Sequence, residues 1–399
     1  MADADQVSGT CDDRFARVRD VFTEHFARGE ELGAAVAVYS GDDLVVDLWG
    51  GVADRKTGRP WLRDTPCLAF SCTKAVTAAA ALRLADAKAY DLSAPVTTWW
   101  PEYGTHGKQD TTAEHLLSHQ AGLPAFDADE PAAIGADPAA AAAKLAEQAP
   151  VWEPGTDHGY HAITYGWLAG EIVRRHAGKG VGAYVAEEIA GPSGLELWLG
   201  APPEVIERAA KMSAARRGGG SGQAAPLDPA TLEGPYRALA EAAQDPRSLM
   251  NRALYNPRVA EEPGGWNNPA VLAAGWPAAG LMATARGLAG LYRDLLAPGR
   301  IVRWPTLVDA VVRRVAGPDR VLHIDTSFGL GFMRPSSAFL TPAAGRDSAF
   351  GHTGAGGSVG LADIERGVSI AYVMNRMGEE VSGGLRAYRL IEALYASLD

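Results

Sequence analysis

Ser71-Cys72-Thr73-Lys74 sets a hydroxyl and an amine three positions apart, at the point where a helical run begins. Residues i and i+3 share one face of a helix, so the lysine Nζ can reach the serine Oγ unaided. A free serine is a poor nucleophile at neutral pH and needs an adjacent base. Lysine can be that base only where burial, a helix N-terminus or nearby cations lower its pKa. Such a tetrapeptide is a compact device for acyl transfer. Four letters recur by chance in 399 residues, so the reading rests on what accompanies them.

Composition bounds the answer. Hydrophobic residues make up 47% and charged residues 21%, ordinary for a soluble globular protein with a sizeable core. The net charge of −11 comes without a basic run, which argues against nucleic acid and anionic membranes as partners. The apolar stretch Ala75–Ala89 is interrupted by Arg83, Asp86 and Lys88, so no membrane span is expected. The start, Met1-Ala2-Asp3-Ala4-Asp5, is acidic where a secretory signal would be basic and then apolar. Cys11, Cys67 and Cys72 form no CxxC and no metal spacing. A reduced, cytoplasmic protein is the expectation, with Cys72 a small filler facing the core.

Apolar periodicity predicts a helix over residues 13–30. Ala34–Tyr39 and Leu44–Leu48, joined by Gly41-Asp42-Asp43, read as a β-hairpin, with a further turn at Gly50-Gly51. A long helix should run from about Ser71 to Lys88, and residues 112–245 are mainly of helical pattern. Arg216-Arg217-Gly218-Gly219-Gly220-Ser221-Gly222 reads as a surface connector. Strands return at Phe328–Met333, Ser358–Ile364 and Val368–Met374, before a closing helix at Gly384–Ala396. Strands at both ends with helices between them imply one sheet built from both termini.

Two further segments would complete a Ser-x-x-Lys site. Tyr160 stands in His158-Gly159-Tyr160-His161-Ala162, on a loop after the turn Trp152-Glu153-Pro154-Gly155 and before a helical run. A phenol there can face a cleft and trade protons beside a lysine. Gly351-His352-Thr353-Gly354-Ala355-Gly356-Gly357-Ser358 is a glycine-rich entry to a strand, where backbone N–H groups can approach an oxyanion.

With these in order the chain resembles the serine β-lactamase/penicillin-binding-protein-like family, in its class C-like branch of family VIII carboxylesterases and related acyltransferases. Ser71-x-x-Lys74 matches the first motif, Tyr160-His161-Ala162 the second (normally Tyr-x-Asn) and His352-Thr353-Gly354 the third (normally Lys-Thr-Gly). Glu114–Pro124, Trp152–Gly155 and Asp91–Val96 match as well, so the likeness spans roughly residues 15–397.

The resemblance implies an α/β (α+β) fold over 1–399, an antiparallel sheet of about five strands flanked by helices, β-lactamase/transpeptidase-like. The sheet lobe would take about 13–70 and 280–399, and an inserted, mostly helical lobe about 71–279. It also implies catalytic Ser71, Lys74 and Tyr160, with the N–H groups of Ser71 and Ala355 as oxyanion hole. Substrate contacts would come from His352, Thr353, Gly354, His161 and Trp276, the last in a segment with Trp266, Asn267 and Asn268 expected to border the acyl site, where the aromatics read equally as an acyl-binding wall or as core. No cofactor and no metal are called for.

Two departures shape the expected function. Ala162 replaces an amide that contacts the acylamino group of a lactam, and His352 replaces a permanently charged lysine. Both disfavour anionic β-lactams and D-amino-acid peptides. The leading expectation is therefore a hydrolase of small carboxylic esters. An acyltransferase or transamidase passing the acyl group to an amine or alcohol in natural-product biosynthesis is the alternative, and a non-catalytic scaffold of the same fold is the reading from another class. Other residues read blandly: His115 and His119, at i and i+4 of a predicted helix, lack the glutamate of a zinc motif. Of His158 and His161, at least one reads as a surface loop residue, and Asp363 and Glu365 read as solvated turn charges.

Overall fold

The computed structural model describes residues 7–214, 229, 232–378 and 382–398. The acidic start and the Arg216–Gly222 connector lie outside the described residues.

The main sheet is antiparallel and seven-stranded. Six strands lie along its path: β1 (Val7–Cys11), β2 (Gly33–Ser40), β3 (Asp43–Asp54), β4 (Ala349–Thr353), β5 (Val359–Asp363) and β6 (Val368–Met374), in the order β1-β3-β2-β6-β5-β4. The short strand Arg59–Pro60 pairs with the end of β3. The N-terminal and C-terminal segments meet where β2 pairs with β6, with Val38 opposite Ile370. Every residue of β6 is buried, which explains why apolar residues occupy both of its faces, with Ser369 the one small polar exception besides Tyr372.

Helices cover both faces. Ser369 and Tyr372 lie three apart on β6 and so point to opposite sides. Ser369 Oγ donates to the Ala289 carbonyl (3.0 Å) in α4 (Ala285–Leu296). Tyr372 donates to Glu31, which accepts Arg386 Nη1 (2.9 Å) from α5 (Leu385–Tyr395). α1 (Ala16–Ala27) packs beside α5. The central helix α2 (Thr73–Asp86) is buried along nearly its whole length and packs on α3 (Tyr165–Ala177). A second, three-stranded sheet gathers Cys67–Leu68, Leu281–Ala283 and Leu197–Leu199 beside the start of α2. No helix among the described residues is long and apolar enough to cross a membrane.

The hairpin, α2, β5, β6 and α5 fall where the sequence puts them. Four expectations need correction. The sheet has seven strands instead of about five. Gly50-Gly51 is no turn, since β3 runs through it. Gly51 has φ +76°, and a Cβ there would stand 2.2 Å from the Leu32 carbonyl, so backbone conformation and close approach both demand glycine within the strand. The strand expected at Phe328–Met333 is Asp325–Phe328, and the chain then turns at Gly331 (φ +82°). Finally, the helix Ala113–Leu117 ends before His119, whose φ is +64°, so His115 and His119 do not share a helical face.

Candidate active site

Ser71 sits at the mouth of α2, partly exposed, between a strained residue and a buried one. Phe70, just before it, has φ +45°, a left-handed conformation that is costly for a bulky side chain. The turn is held from both sides. Thr73 Oγ1 donates to the Phe70 carbonyl and accepts the Leu281 N–H (2.9 Å), tying the helix start to the second sheet. Phe70 itself packs edge-on against Trp266, with ring centroids 5.6 Å apart.

Lys74 is completely buried. Its Nζ lies 3.1 Å from Ser71 Oγ, 2.7 Å from the Ala162 carbonyl and 3.1 Å from the Ala278 carbonyl. Among the described residues no carboxylate pairs with it, and burial holds its ammonium well below the ordinary lysine value. Two of the three neighbours are carbonyls, which can only accept. They fix two N–H bonds and leave the remaining direction of the nitrogen facing Ser71. In the neutral amine that direction carries the lone pair.

Tyr160 is 5% exposed and its hydroxyl faces Ser71. Lys74 Nζ lies 4.8 Å from the centre of its ring, and the other side of the pocket is Phe328, stacked parallel at 6.0 Å. Burial pushes the phenol above its usual pKa, and the Ser71 hydroxyl only partly opposes this. Burial thus favours a neutral amine and a protonated phenol, side by side.

The third segment ends β4 against the same helix. Cys72 Sγ donates to the His352 carbonyl (3.3 Å), and a Cβ on Gly354 would stand 2.4 Å from the Ala69 carbonyl. Close passage past residues 69–71 is thus what requires Gly354. Arg386 Nη2 holds the adjoining loop by donating to the Gly356 carbonyl (2.9 Å). His352 is 1% exposed, its ring 6.1 Å from that of Tyr160. Its Nδ1–H donates to the Thr353 carbonyl (2.7 Å), and burial with the nearby Lys74 lowers its pKa to about 3. Nε2 is left as an acceptor with no partner among the described residues. Thr353 Oγ1 contacts Ser382 Oγ and Met333 Sδ (3.4 Å).

The structure therefore brings together Ser71, Lys74, Tyr160, His352, Thr353, Gly354 and Ala355. It does not put His161 and Trp276 on the same wall. His161 spends both ring nitrogens on backbone, Nδ1–H to the Gly159 carbonyl (2.7 Å) and Nε2 accepting the Leu123 N–H (3.0 Å), and burial lowers it to about 3. Trp276 is 1% exposed and packs between Trp167 and Trp266. Backbone bonding and ring packing are the contacts those two make. Asn267 is likewise spent, on the backbone N–H and carbonyl of Met212 (2.8 and 2.9 Å). His158 is not a surface residue but is 6% exposed and bonded to Thr326. Asp363 is buried too, accepting Ser348 Oγ (2.8 Å) and Tyr395 OH (2.7 Å), while Glu365 is exposed as expected. The Ala162 and Ala278 carbonyls could not be read from the residue letters, because a backbone acceptor has no letter.

Residues 18–395 match the family model described as Beta-lactamase. The chain is 34% identical over 380 residues to the esterase/beta-lactamase LipL of Mycobacterium tuberculosis (strain ATCC 25618 / H37Rv), covering 93% of this chain and 83% of that protein. A penicillin-binding protein homologue from Caulobacter crescentus superposes with a TM-score of 0.83 at 39% identity, over 98% of this chain and 99% of that one. A family VIII carboxylesterase does so with a TM-score of 0.84 at 32% identity, over 98% and 100% of the two chains. The fold, the order of the motifs and these likenesses together show that the chain belongs to the serine β-lactamase/penicillin-binding-protein-like family.

Proposed function

We propose that this enzyme hydrolyses small, neutral carboxylic esters through an acyl-Ser71 intermediate. The observation that carries the reading is the setting of Lys74: an amine without a counter-charge among the described residues, buried, with two N–H bonds taken by carbonyls and its remaining direction on Ser71 Oγ. Such a lysine is a base and not a fixed cation. Ser71 Oγ gives its proton to Nζ while bonding to the ester carbonyl carbon. The carbonyl oxygen, now negative, is met by the N–H groups of Ser71 and Ala355, with the positive end of α2 behind the first. Collapse breaks the bond to the alkoxide, which takes the proton back from Lys74 through the Tyr160 hydroxyl. Water then attacks acyl-Ser71 by the same route, giving one proton to the Tyr160–Lys74 pair; that proton returns to Ser71 Oγ as its bond to the acyl carbon breaks, which releases the carboxylic acid and restores the free serine.

The ester preference follows from what surrounds this machinery. A neutral His352 offers no charge to a substrate carboxylate, and Ala162 offers no side-chain amide. The names of the relatives, an esterase/beta-lactamase and a family VIII carboxylesterase, support the same substrate class. Three free cysteines suit a reducing compartment. The test is hydrolysis of p-nitrophenyl butyrate together with labelling by a fluorophosphonate. Wild type should turn over and label on Ser71, and Ser71→Ala should do neither; turnover surviving in Ser71→Ala would remove the proposal. Added alcohol or amine acceptors in the same assay separate hydrolysis from acyl transfer by product mass.

A further inference from the structure

We infer that Asp319 is a positioning residue for Tyr160, reaching it through the main chain across 159 residues of sequence. The inference rests on the reading of Tyr160 as proton relay. Asp319 is 2% exposed, and among the described residues no cation pairs with it. Its carboxylate is instead filled by hydrogen bonds. Oδ1 accepts the N–H of Tyr160 (3.0 Å), Val321 (2.8 Å) and Leu322 (2.9 Å), and Oδ2 accepts Thr326 Oγ1–H (2.9 Å). Thr326 has then given away its one proton, so its contact with His158 Nε2 (3.1 Å) is a bond donated by the imidazole. Two residues of the 158–161 loop are thus tied to one carboxylate, Tyr160 directly by its backbone and His158 by its ring through Thr326. The His158 carbonyl also accepts the Arg320 N–H (3.2 Å).

The far end of the loop is fixed separately. The His161 N–H donates to His119 Nδ1 (3.0 Å), and the His161 ring bridges Gly159 and Leu123. Gly159 has no room for a side chain, since a Cβ would stand 2.8 Å from Val321 Cγ2 on the turn that Asp319 organises. Tyr160 is therefore held from both directions, with its ring against Phe328, which ends the Asp325–Phe328 strand that also carries Thr326. A loop residue is otherwise free to swing. An error of about an ångström in a proton-transfer partner costs on the order of 100-fold in rate. Asp319 touches neither substrate nor reacting atoms; it removes the backbone freedom that would misplace the phenol.

A carboxylate that only folded its own 319–323 turn would affect stability but leave the kcat of folded molecules unchanged. The experiment measures kcat and KM for p-nitrophenyl butyrate in Asp319→Ala, Asp319→Asn, Thr326→Val and, as control, Ser71→Ala. Thermal unfolding and burst titration count competent sites. Expected for Asp319→Ala is a kcat loss of about 10- to 100-fold per competent site, within the range of acid–base positioning effects, with KM within about two-fold of wild type. Asp319→Asn should lose less, because an amide oxygen still accepts the Tyr160 N–H. Thr326→Val should lose a few-fold. Wild-type kcat per folded site in Asp319→Ala, or a loss carried by KM alone, overturns the inference. If Asp319→Ala does not fold, unchanged kcat in both other variants does so. Ser71→Ala inactive with Asp319→Ala unaffected sinks this inference alone; Ser71→Ala still active sinks the reading beneath it.

Discussion

Two carbonyls, those of Ala162 and Ala278, make Lys74 a candidate base, and this sharpens what its replacement should do. Lys74→Arg keeps a long basic side chain but cannot lose its proton at any working pH. It should cost kcat roughly 100- to 10,000-fold, the range of general-base catalysis, and steady-state kinetics in a folded variant would check this. The same logic sets the pH profile. A base whose pKa is lowered by burial works above that pKa and fails as pH falls through it, so the acid limb of kcat/KM belongs to Lys74. His161 and His352, both near 3, should add no limb between about pH 5 and 8. His352→Lys should bring back a permanent cation and raise acylation by nitrocefin relative to p-nitrophenyl butyrate; an unchanged ratio would show that position 352 does not choose the substrate. At this scale the sequence was most readable where side-chain identity carries the chemistry, as for Ser71, Lys74 and Tyr160. Asp319 was invisible because its meaning lies in a contact 159 residues away.

Among the elements, the junction of β4 with α2 decides whether an oxyanion hole can form. Gly354→Ala would drive a methyl to within 2.4 Å of the Ala69 carbonyl, a backbone atom that cannot step aside without moving Ser71. Loss of most kcat with little change in unfolding temperature is expected, because the strain falls at the end of a strand; wild-type kcat would show that the approach of 354 to 69–71 is not tight in solution. The hairpin β2–β3 and the helix α2 were legible because their periodicity and turn residues agree with the tertiary structure. Gly50-Gly51 and His115–His119 were misread for opposite reasons. At Gly51 a glycine serves close packing within a strand, and at His119 tertiary hydrogen bonding ends a helix that local spacing would extend.

For the molecule as a whole, buried neutral histidines set the response to acid. His25 is lowered to about 4 and His161 and His352 to about 3, in each case mainly by burial. Folded pKa values below the unfolded value of about 6.5 mean that, as pH falls from there, the unfolded chain takes up protons that the folded chain refuses. The unfolding temperature should therefore fall steadily from about pH 6.5 toward pH 4. Glu31, raised by burial, acts in the opposite sense but is one group against these three and the likewise lowered His115, His119 and His176. A flat profile by calorimetry would contradict the burial of these rings. The sheet's assembly from both termini was readable from the order of elements. The small sheet of Cys67–Leu68, Leu197–Leu199 and Leu281–Ala283 was not, since strands of two and three residues carry too little pattern. The central claim is a covalent acyl group on Ser71. Its most direct test is intact-protein and peptide mass spectrometry after mixing with p-nitrophenyl butyrate and quenching in acid. The prediction is one butyryl group, located on Ser71 and absent from Ser71→Ala; ester turnover with no adduct, or with the adduct on another residue, would contradict it.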